Sequence, residues 1–444
     1  MNFEKIGFDY IIDTLDIVSR LGRRTLKSIE FSKDILKLEK EFENLQSVIT
    51  LLENNPKIYT TLKRKLSALK DIESIVNRLS NGYILDDVEL FEIKIFSMIS
   101  QEIYEILSEN YKFLAPQNLE KVIDILDPDK LRIASFHIYS SYSIELSEVR
   151  KVIKETKDET LYETEMQLED DVRKVISRKL SNYNQVLKSS IKRLGYLDLI
   201  LAKAHQAQKL NLVKPIFTNK TELKGVFNPK VLKILEDKDK TYQKVDITLH
   251  NGVTVITGAN MSGKTLTLKT LGLVQNMAQM GFYIPAIKGE VQLVDEICLS
   301  IGDTQSLEEG LSSFAAEMLE IDRIVKKIKK GIRPLVLIDE LARTTNPQEG
   351  RALLKSVITI LNNYFIESVI TTHYDQVGED VVKLRVKGIK KTEIEENVNY
   401  KNIEDYIDYS LIEVDDDSVP EEALTIGKLL KIDEDIINNA YKYL

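Results

Sequence analysis

The chain has 444 residues, 43% of them hydrophobic and 30% charged, with a formal net charge of −9. This length predicts roughly two to three domains with a large buried core. The negative net charge excludes the overall basic character that is typical of nucleic-acid-binding proteins, but it is compatible with a local basic face. A single cysteine, Cys298, excludes an internal disulfide and favours a reducing compartment. No apolar run approaches the ~20 residues of a membrane helix and the N-terminus lacks a signal-peptide pattern, so we expect a cytoplasmic protein without a membrane partner.

Apolar residues recur at helical spacing through the first half of the chain. The pattern is seen in Ile11, Leu15, Val18 and Leu21 and continues through residues 82–107. It predicts amphipathic helices packed in a bundle. The segment 110–165 breaks the pattern, and we interpret it as an elaboration at the tip of the bundle.

The longest element predicted in this half is a single helix from Glu169 to Leu210. Its apolar residues follow steps of three, four or seven, which is typical of a long lever or coiled-coil-like helix. The basic residues on its other faces are Arg173, Lys174, Arg178, Lys179, Lys188, Lys192 and Arg193. Two interpretations of these basic residues stay open, a stripe that follows DNA phosphates and an ordinary solvated helix face.

Residues 258–265 read G-x-x-x-x-G-K-T, the Walker A phosphate-binding loop, between a β-branched run at 253–257 and a helical run at 266–280. Glycines let the backbone approach phosphate oxygens, and the N–H groups of the loop and of the helix N-terminus face the anion. Lys264 would reach the β/γ-phosphates and Thr265 would ligate Mg²⁺. The alternative is a glycine turn that happens to hold a lysine. The predicted nucleotide-binding residues are Gly258, Asn260, Met261, Ser262, Gly263, Lys264 and Thr265.

Two further strands end in polar side chains. The apolar run 335–338 ends at Asp339 and Glu340, and the run 368–372 ends at His373. Asp339 would belong to the Mg²⁺ site, and Glu340 would orient or deprotonate the attacking water. His373 is placed to contact the γ-phosphate or the water. The alternative for the acidic pair is a solvated turn after a strand.

Strands and helices alternate after residue 221, which predicts a mostly parallel sheet with helices on both faces. Between the first two motifs, residues 310–314 read Gly-Leu-Ser-Ser-Phe before a predicted helix. Ser312 and Ser313 would offer hydroxyls and a helix N-terminus to an anion. No anion bound by the same subunit is an evident ligand for these serines, whereas a nucleotide bound by a partner subunit would provide one.

Together these motifs resemble those of the MutS-family ATPases, a branch of the ABC-type P-loop NTPases. The matching stretches are 255–265, 311–318, 335–350 and 371–374, with a weaker likeness over 194–215. The resemblance implies an α/β P-loop NTPase domain at 221–417 and an all-α core/lever domain at 1–220 with a reduced clamp-like tip at about 110–165. Residues 418–444 resemble the helical element through which family members dimerise.

The resemblance also implies a homodimer with two composite sites for ATP and Mg²⁺. Ser312 and Ser313 would act in trans on the γ-phosphate of the partner subunit. ATP binding would bring the two ATPase domains together, hydrolysis would release them, and the lever would carry the motion. The residues implied to act in cis are Lys264, Thr265, Asp339, Glu340 and His373.

The chain also departs from the family pattern. It begins at the helical core without a mismatch-reading domain and stops at Leu444 without an Smr domain, so it is identified as closest to a short branch that lacks both. The Phe-x-Glu at 365–367 lies within the ATPase part and is not the mismatch wedge. The Gly-rich turn after Glu340 is replaced by residues 341–347, in which Arg343 has no assigned role.

Two functions follow from the resemblance. The first is a mismatch-repair-like ATPase that acts on mismatched, branched or distorted double-stranded DNA in repair or recombination. The alternative is an ATP-driven protein remodelling or reactivating factor, such as one for a cobalamin-dependent aminomutase, with a protein client and no DNA role. A scaffold with an inactive ATPase is disfavoured because all the catalytic side chains are present.

Overall fold

The structure is a computed structural model that describes residues 3–259, 262–301, 313–343, 345–374, 377–378, 380–390, 402–415 and 422–443. The chain divides into two compact units. One consists of Met1–Thr14, Glu30–Glu43 and Gln206–Leu444, and we call it the sheet unit. The other consists of Leu15–Ile29 and Asn44–His205, and we call it the helical unit.

Helices account for most of the chain before residue 210. Helix α6 begins with a capping box, in which the Asp86 carboxylate accepts a hydrogen bond from the Glu89 N–H and the Glu89 carboxylate accepts one from the Asp86 N–H. Among the described helices, none combines the length and apolarity that crossing a bilayer requires. The helices in this part are α1 Phe8–Asp13, α2 Arg20–Lys27, α3 Ile35–Asn54, α4 Pro56–Ser67, α5 Glu73–Ser80, α6 Asp87–Leu107, α7 Glu120–Leu126, α8 Ile144–Thr156, α9 Tyr162–Ser181 and α10 Asn184–Lys209.

The prediction of a single long helix from Glu169 to Leu210 is wrong, because α9 and α10 are separated at Asn182 and Tyr183. The Tyr183 N–H donates to the Leu180 carbonyl at 2.8 Å, a tightened turn that ends α9. Serine and asparagine at 181–182 favour such an end because their side chains compete for backbone hydrogen bonds. The predicted apolar seam is nevertheless buried on both helices, at Val172, Ile176, Leu180, Leu187, Ile191 and Leu194.

Part of the predicted basic stripe is engaged within the helical unit. The Arg173 guanidinium donates to both carboxylate oxygens of Asp87, at 2.7 and 3.0 Å. Arg193 donates to the backbone carbonyls of Lys112 and Ala115, at 3.3 and 2.8 Å. These two guanidinium groups therefore fasten neighbouring segments, which argues against an uninterrupted phosphate-binding stripe.

Segment 110–165 is joined to α6 by a buried ion pair. The Lys94 ammonium lies 3.0 Å from an Asp127 carboxylate oxygen, and the two side chains are 0% and 1% exposed. Lys94 also donates to the Ser135 carbonyl at 3.0 Å and to the Tyr139 hydroxyl at 3.1 Å. Because a buried charge is tolerated only when it is paired and hydrogen-bonded, this cluster determines how the segment packs on α6.

Two β-sheets follow in the sheet unit. Within the described residues, the larger sheet has the order β10-β9-β4-β8-β7-β6, with every neighbouring pair parallel except β9 and β10. The smaller sheet, β1-β5-β2-β3, was not predicted. The prediction of a mostly parallel sheet is confirmed for the larger one. The elements are β1 Ile216–Thr218, β2 Thr221–Val226, α11 Pro229–Glu236, β3 Val245–Leu249, β4 Val253–Thr257, α12 Lys264–Gln279, β5 Lys288–Gln292, β6 Ile297–Ser300, α13 Ser313–Lys329, β7 Leu335–Asp339, α14 Pro347–Asn363, β8 Ser368–Thr371, β9 Val382–Ile389, β10 Ile407–Glu413, α15 Glu422–Leu429 and α16 Glu434–Lys442.

Helices cover both faces of the larger sheet. Val336 and Ile338 of β7 belong to a buried cluster with Ile324 of α13 and Leu354 of α14. Leu337 lies between them on the opposite face, where a Cβ added to Gly272 of α12 would be 3.3 Å from its Cδ1. The central strands are therefore buried on both sides, which explains their continuous β-branched and aliphatic runs.

The two C-terminal helices pack closely against each other. A Cβ added to Gly427 of α15 would lie 2.7 Å from Cδ1 of Ile437 on α16, so the glycine permits the close approach. Ile437 is 5% exposed. A role of this helix pair in dimerisation stays a prediction.

Candidate active site

Three neighbouring parallel strands bring the predicted motifs to one edge of the larger sheet. Ile256 of β4 pairs with Thr371 of β8, and Thr371 pairs in turn with Asp339 of β7. The phosphate-binding loop follows β4, and Glu340 and His373 follow β7 and β8. Parallel strands end at the same edge, where ligands bind in open α/β sheets.

The described residues of the loop between β4 and α12 contact the Lys264 side chain. Gly258 has φ 151° and Gly263 has φ 81°, backbone conformations that disfavour other residues. A Cβ on Gly258 would also lie 3.0 Å from the Ser262 hydroxyl oxygen. Lys264 is 5% exposed, and its ammonium donates to the Gly258 and Ala259 carbonyls at 2.8 and 3.0 Å. Asn260 and Met261 lie outside the described residues.

Two threonine hydroxyls hold the Asp339 carboxylate. Thr265, in the first turn of α12, donates to one oxygen at 2.7 Å, and Thr371, at the end of β8, donates to the other at 2.5 Å. The Thr371 hydroxyl in turn accepts the Glu340 N–H at 3.1 Å. The predicted Mg²⁺ residues Thr265 and Asp339 are thus in direct contact. Thr371 was not predicted as a site residue, although its place at a strand end two residues before His373 was a usable signal.

The Glu340 carboxylate is held between two nitrogen donors. His373 Nε2 is hydrogen-bonded to Oε1, and Arg343 Nη1 donates to Oε2 at 2.9 Å. Burial raises the pKa of Glu340, but His373, Arg343 and Lys264 outweigh burial and bring the pKa below its usual value. Glu340 is therefore an ionised carboxylate at neutral pH. Arg343, to which the sequence assigned no role, is one of the two groups that contact this carboxylate.

The described residues fit a magnesium nucleotide. The Ser262 hydroxyl is buried in the loop with no hydrogen-bond partner among them, as a donor aimed at a phosphate oxygen would be. Thr265 and Asp339 offer the hard oxygen atoms that Mg²⁺ prefers. In the part of the chain that is described, no cluster of three or more His, Cys, Asp or Glu could hold a metal by itself. Mg²⁺ commonly takes only one or two carboxylates together with substrate phosphates and water.

A cavity of about 260 Å³ opens beside the loop. It is lined by Gly263 and Thr267 at the start of α12 and by the rings of Tyr242 and Tyr409. A Cβ on Gly263 would be 3.2 Å from the Tyr409 ring, so the ring packs directly on the loop. Sequence reasoning missed this cavity, because Tyr409 comes from β10 and no motif marks it.

The predicted serine pair is only partly described. Ser312 lies outside the described residues, and Ser313 is the first residue of α13. The loop residues Gly258, Ser262, Gly263 and Lys264 are brought to one edge with Thr265, Asp339, Glu340 and His373. The catalytic and binding roles assigned to all of these residues stay predictions.

Comparison with known proteins identifies a domain family and several relatives. The family profile for MutS domain V matches residues 254–444. Endonuclease MutS2 of Ligilactobacillus salivarius is 31% identical over 383 residues, which cover 82% of this chain and 46% of that protein. Endonuclease MutS2 of Caldanaerobacter subterraneus subsp. tengcongensis is 26% identical in an alignment 529 positions long, which covers 99% of this chain and 64% of that protein.

A shorter but more similar match is Endonuclease MutS2 of Finegoldia magna, 39% identical over 258 residues, which cover 56% of this chain and 31% of that protein. The chain spans about half the length of the curated relatives it matches. The matched profile begins inside β4 and includes the phosphate-binding loop, Asp339, Glu340 and His373. This domain match and these relatives support a MutS-family protein.

Proposed function

We propose that the chain binds ATP with Mg²⁺ at the carboxyl edge of β4, β8 and β7 and hydrolyses it to ADP and phosphate. The observation that carries the proposal is the convergence at this edge of the Lys264 loop, the Thr265–Asp339 contact and the Glu340–His373 pair. Each element supplies what phosphoryl transfer requires, namely positioning and electrostatic stabilisation of the phosphates together with an oriented nucleophile.

The roles follow from the contacts. Lys264 exchanges its bonds to the loop carbonyls for phosphate oxygens, and the N–H groups at the start of α12 face the same anion. Thr265 and Asp339 would hold Mg²⁺, which would neutralise phosphate charge when bound. Glu340 accepts the proton of the attacking water, because its lowered pKa keeps it ionised at neutral pH. His373 fixes the direction of the Glu340 carboxylate.

The cavity beside the loop would hold the base of the nucleotide. Tyr242 and Tyr409 offer flat apolar surfaces next to the first turn of α12. Pockets for planar ligands are commonly lined by aromatic side chains with a few polar groups, and Thr267 and Gln243 supply polar groups here. This arrangement would set the triphosphate in line with Lys264.

A homodimer with composite sites completes the proposal. Ser312 and Ser313 would be presented to the γ-phosphate bound by the partner subunit, α15 and α16 would contribute to dimerisation, and the helical unit would act as the core and lever. The substrate acted on is distorted double-stranded DNA, which is supported by the match to MutS domain V and by the relatives named Endonuclease MutS2. The net charge of −9 and the internal engagement of Arg173 and Arg193 instead favour a protein client.

Steady-state ATP hydrolysis by the purified chain tests the central claim. Lys264→Ala should abolish nucleotide binding, and Glu340→Gln should bind ATP but turn it over about 10²- to 10⁴-fold more slowly, as loss of a general base does. Lys326→Ala, which removes an exposed ammonium paired with Asp322, is the matched control and should behave as wild type. Wild-type turnover by Glu340→Gln would refute its role as the base.

The same assay with homoduplex, mismatched and four-way-junction DNA distinguishes the two substrates. A DNA-acting enzyme should be stimulated most by distorted DNA, with a response that falls as salt rises because phosphate contacts release counterions. A rate that no DNA changes, from a preparation that still binds ATP and dimerises, would refute the DNA role and favour a protein client.

A further inference from the structure

The turn that follows the proposed base has an unusual backbone. Glu340 has φ 51° and Ala342 has φ 58°, both in the left-handed region. The residue between them, Leu341, is 1% exposed, and Ala342 is 0% exposed. A left-handed conformation costs a residue with a side chain about 1 kcal/mol or more. Two such conformations within three consecutive residues therefore persist only if surrounding groups stabilise them.

Two side chains from other elements hold Ala342. Both carboxylate oxygens of Glu317 accept its N–H, at 3.2 and 3.3 Å, and the Tyr374 hydroxyl donates to its carbonyl at 3.0 Å. Gly350 makes room for this arrangement, because a Cβ there would collide with the Tyr374 hydroxyl. Both backbone polar groups of Ala342 therefore have side-chain partners, which satisfies a buried peptide that no strand or helix pairs.

The two side chains come from elements that carry other parts of the site. Glu317 lies on α13, whose first residue is Ser313, and Tyr374 directly follows His373. Glu317 is half-buried. Burial raises the pKa of its carboxyl group, and the bond from Ala342 and the charge of Arg343 lower it only in part. A carboxyl group whose burial disfavours its ionised form indicates a specific contact rather than a solvated surface residue.

We propose that Glu317 and Tyr374 are positioning residues that hold the Ala342 turn and thereby aim the Glu340 carboxylate at the attacking water. The inference rests on the proposed ATPase function. It also connects α13 with the base, since Glu317 on this helix contacts the Ala342 N–H. Neither residue touches the nucleotide in this scheme, so nucleotide affinity does not depend on them.

The kinetic test separates positioning from binding. Glu317→Ala should lower kcat by about 100-fold, as a displacement of about 1 Å does, with the KM for ATP within about twofold of wild type. Glu317→Gln keeps a carbonyl oxygen that accepts the Ala342 N–H and should recover most of kcat. Tyr374→Phe removes one hydrogen bond and should lower kcat by about tenfold. Asp322→Asn, on the exposed side of α13, is the matched control and should behave as wild type.

Amide hydrogen exchange without nucleotide tests the contact directly. Peptides containing Glu340 to Arg343 should exchange faster in Glu317→Ala than in wild type or Asp322→Asn, while peptides of β4 should be unchanged. Unchanged exchange, a kcat equal to wild type, or a Glu317→Gln variant as impaired as Glu317→Ala would each overturn the inference. If the wild-type chain does not hydrolyse ATP, the proposed function fails, and exchange still decides whether Glu317 holds the turn.

Discussion

Glu367 is a buried carboxyl directly before β8, at the end of the strand opposite the candidate active site. It is 3% exposed, and neither of its oxygens has a well-formed hydrogen bond among the described residues. Burial raises its pKa to about 7, and nearby Thr221 lowers it only in part. The sheet unit should therefore be less stable when this group must ionise.

The sign and size of the effect follow from proton linkage. With a folded pKa of about 7 and an ordinary value of 4.5, the folded state binds more protons than the unfolded state between these two pH values. The stabilisation is complete below pH 4.5 and is lost as the pH rises through 7. The loss is about 3 kcal/mol, because one pKa unit corresponds to about 1.4 kcal/mol. Glu367→Gln cannot ionise, so it should not show this loss.

The assay is urea unfolding of wild type, Glu367→Gln and Glu349→Gln at pH 5 and pH 8. The stability of Glu367→Gln relative to wild type should increase by about 2–3 kcal/mol between the two pH values. Taking the difference between pH values removes the effect of the amide group itself. Glu349 is exposed on α14, so its variant should follow wild type. Equal pH dependence of wild type and Glu367→Gln would refute the assignment to this carboxyl group.

Three more predictions concern strain and paired charges. Ala342→Gly should raise the free energy of unfolding by about 1 kcal/mol, because glycine adopts φ 58° without strain, and a loss of stability in thermal unfolding would contradict this. Arg343→Ala removes a bond to Glu340 that lowers its pKa, so the acid limb of the kcat/KM profile should move to higher pH, and an unmoved limb would exclude this role. Lys94→Met leaves the Asp127 charge buried and unpaired and should destabilise the helical unit by about 3–5 kcal/mol in urea unfolding, whereas a loss under about 1 kcal/mol would show that the pair is dispensable.

The residues of the candidate site could be predicted where the signal is local. A β-branched run, a glycine loop with Lys264 and a helical run are adjacent in the chain, and the structure has β4 and α12 at those places. Asp339 and Glu340 follow an apolar run of strand length in the same way. Each of these patterns depends on neighbouring residues alone, which is why a single sequence carries them.

Contacts between distant residues could not be predicted. Thr371 donates to Asp339 across 32 residues of sequence, and Glu317 reaches Ala342 across 25. No residue near Thr371 or Glu317 in the sequence indicates which distant residue each of them contacts. The break between α9 and α10 was missed for a related reason, since the buried seam continues through it and the apolar spacing alone suggests one helix.

The sequence by itself determined that Lys264, Thr265, Asp339, Glu340 and His373 stand at the ends of strands or the start of a helix, because strand and helix formation reflects local spacing and side-chain shape. Only the tertiary structure decided that β4, β8 and β7 are neighbours, and hence that these side chains meet at one edge. It also decided the left-handed turn after β7 and the side chains that hold it. Strand order and turn conformation depend on packing between segments far apart in the chain, and this information is not present in any short stretch of sequence.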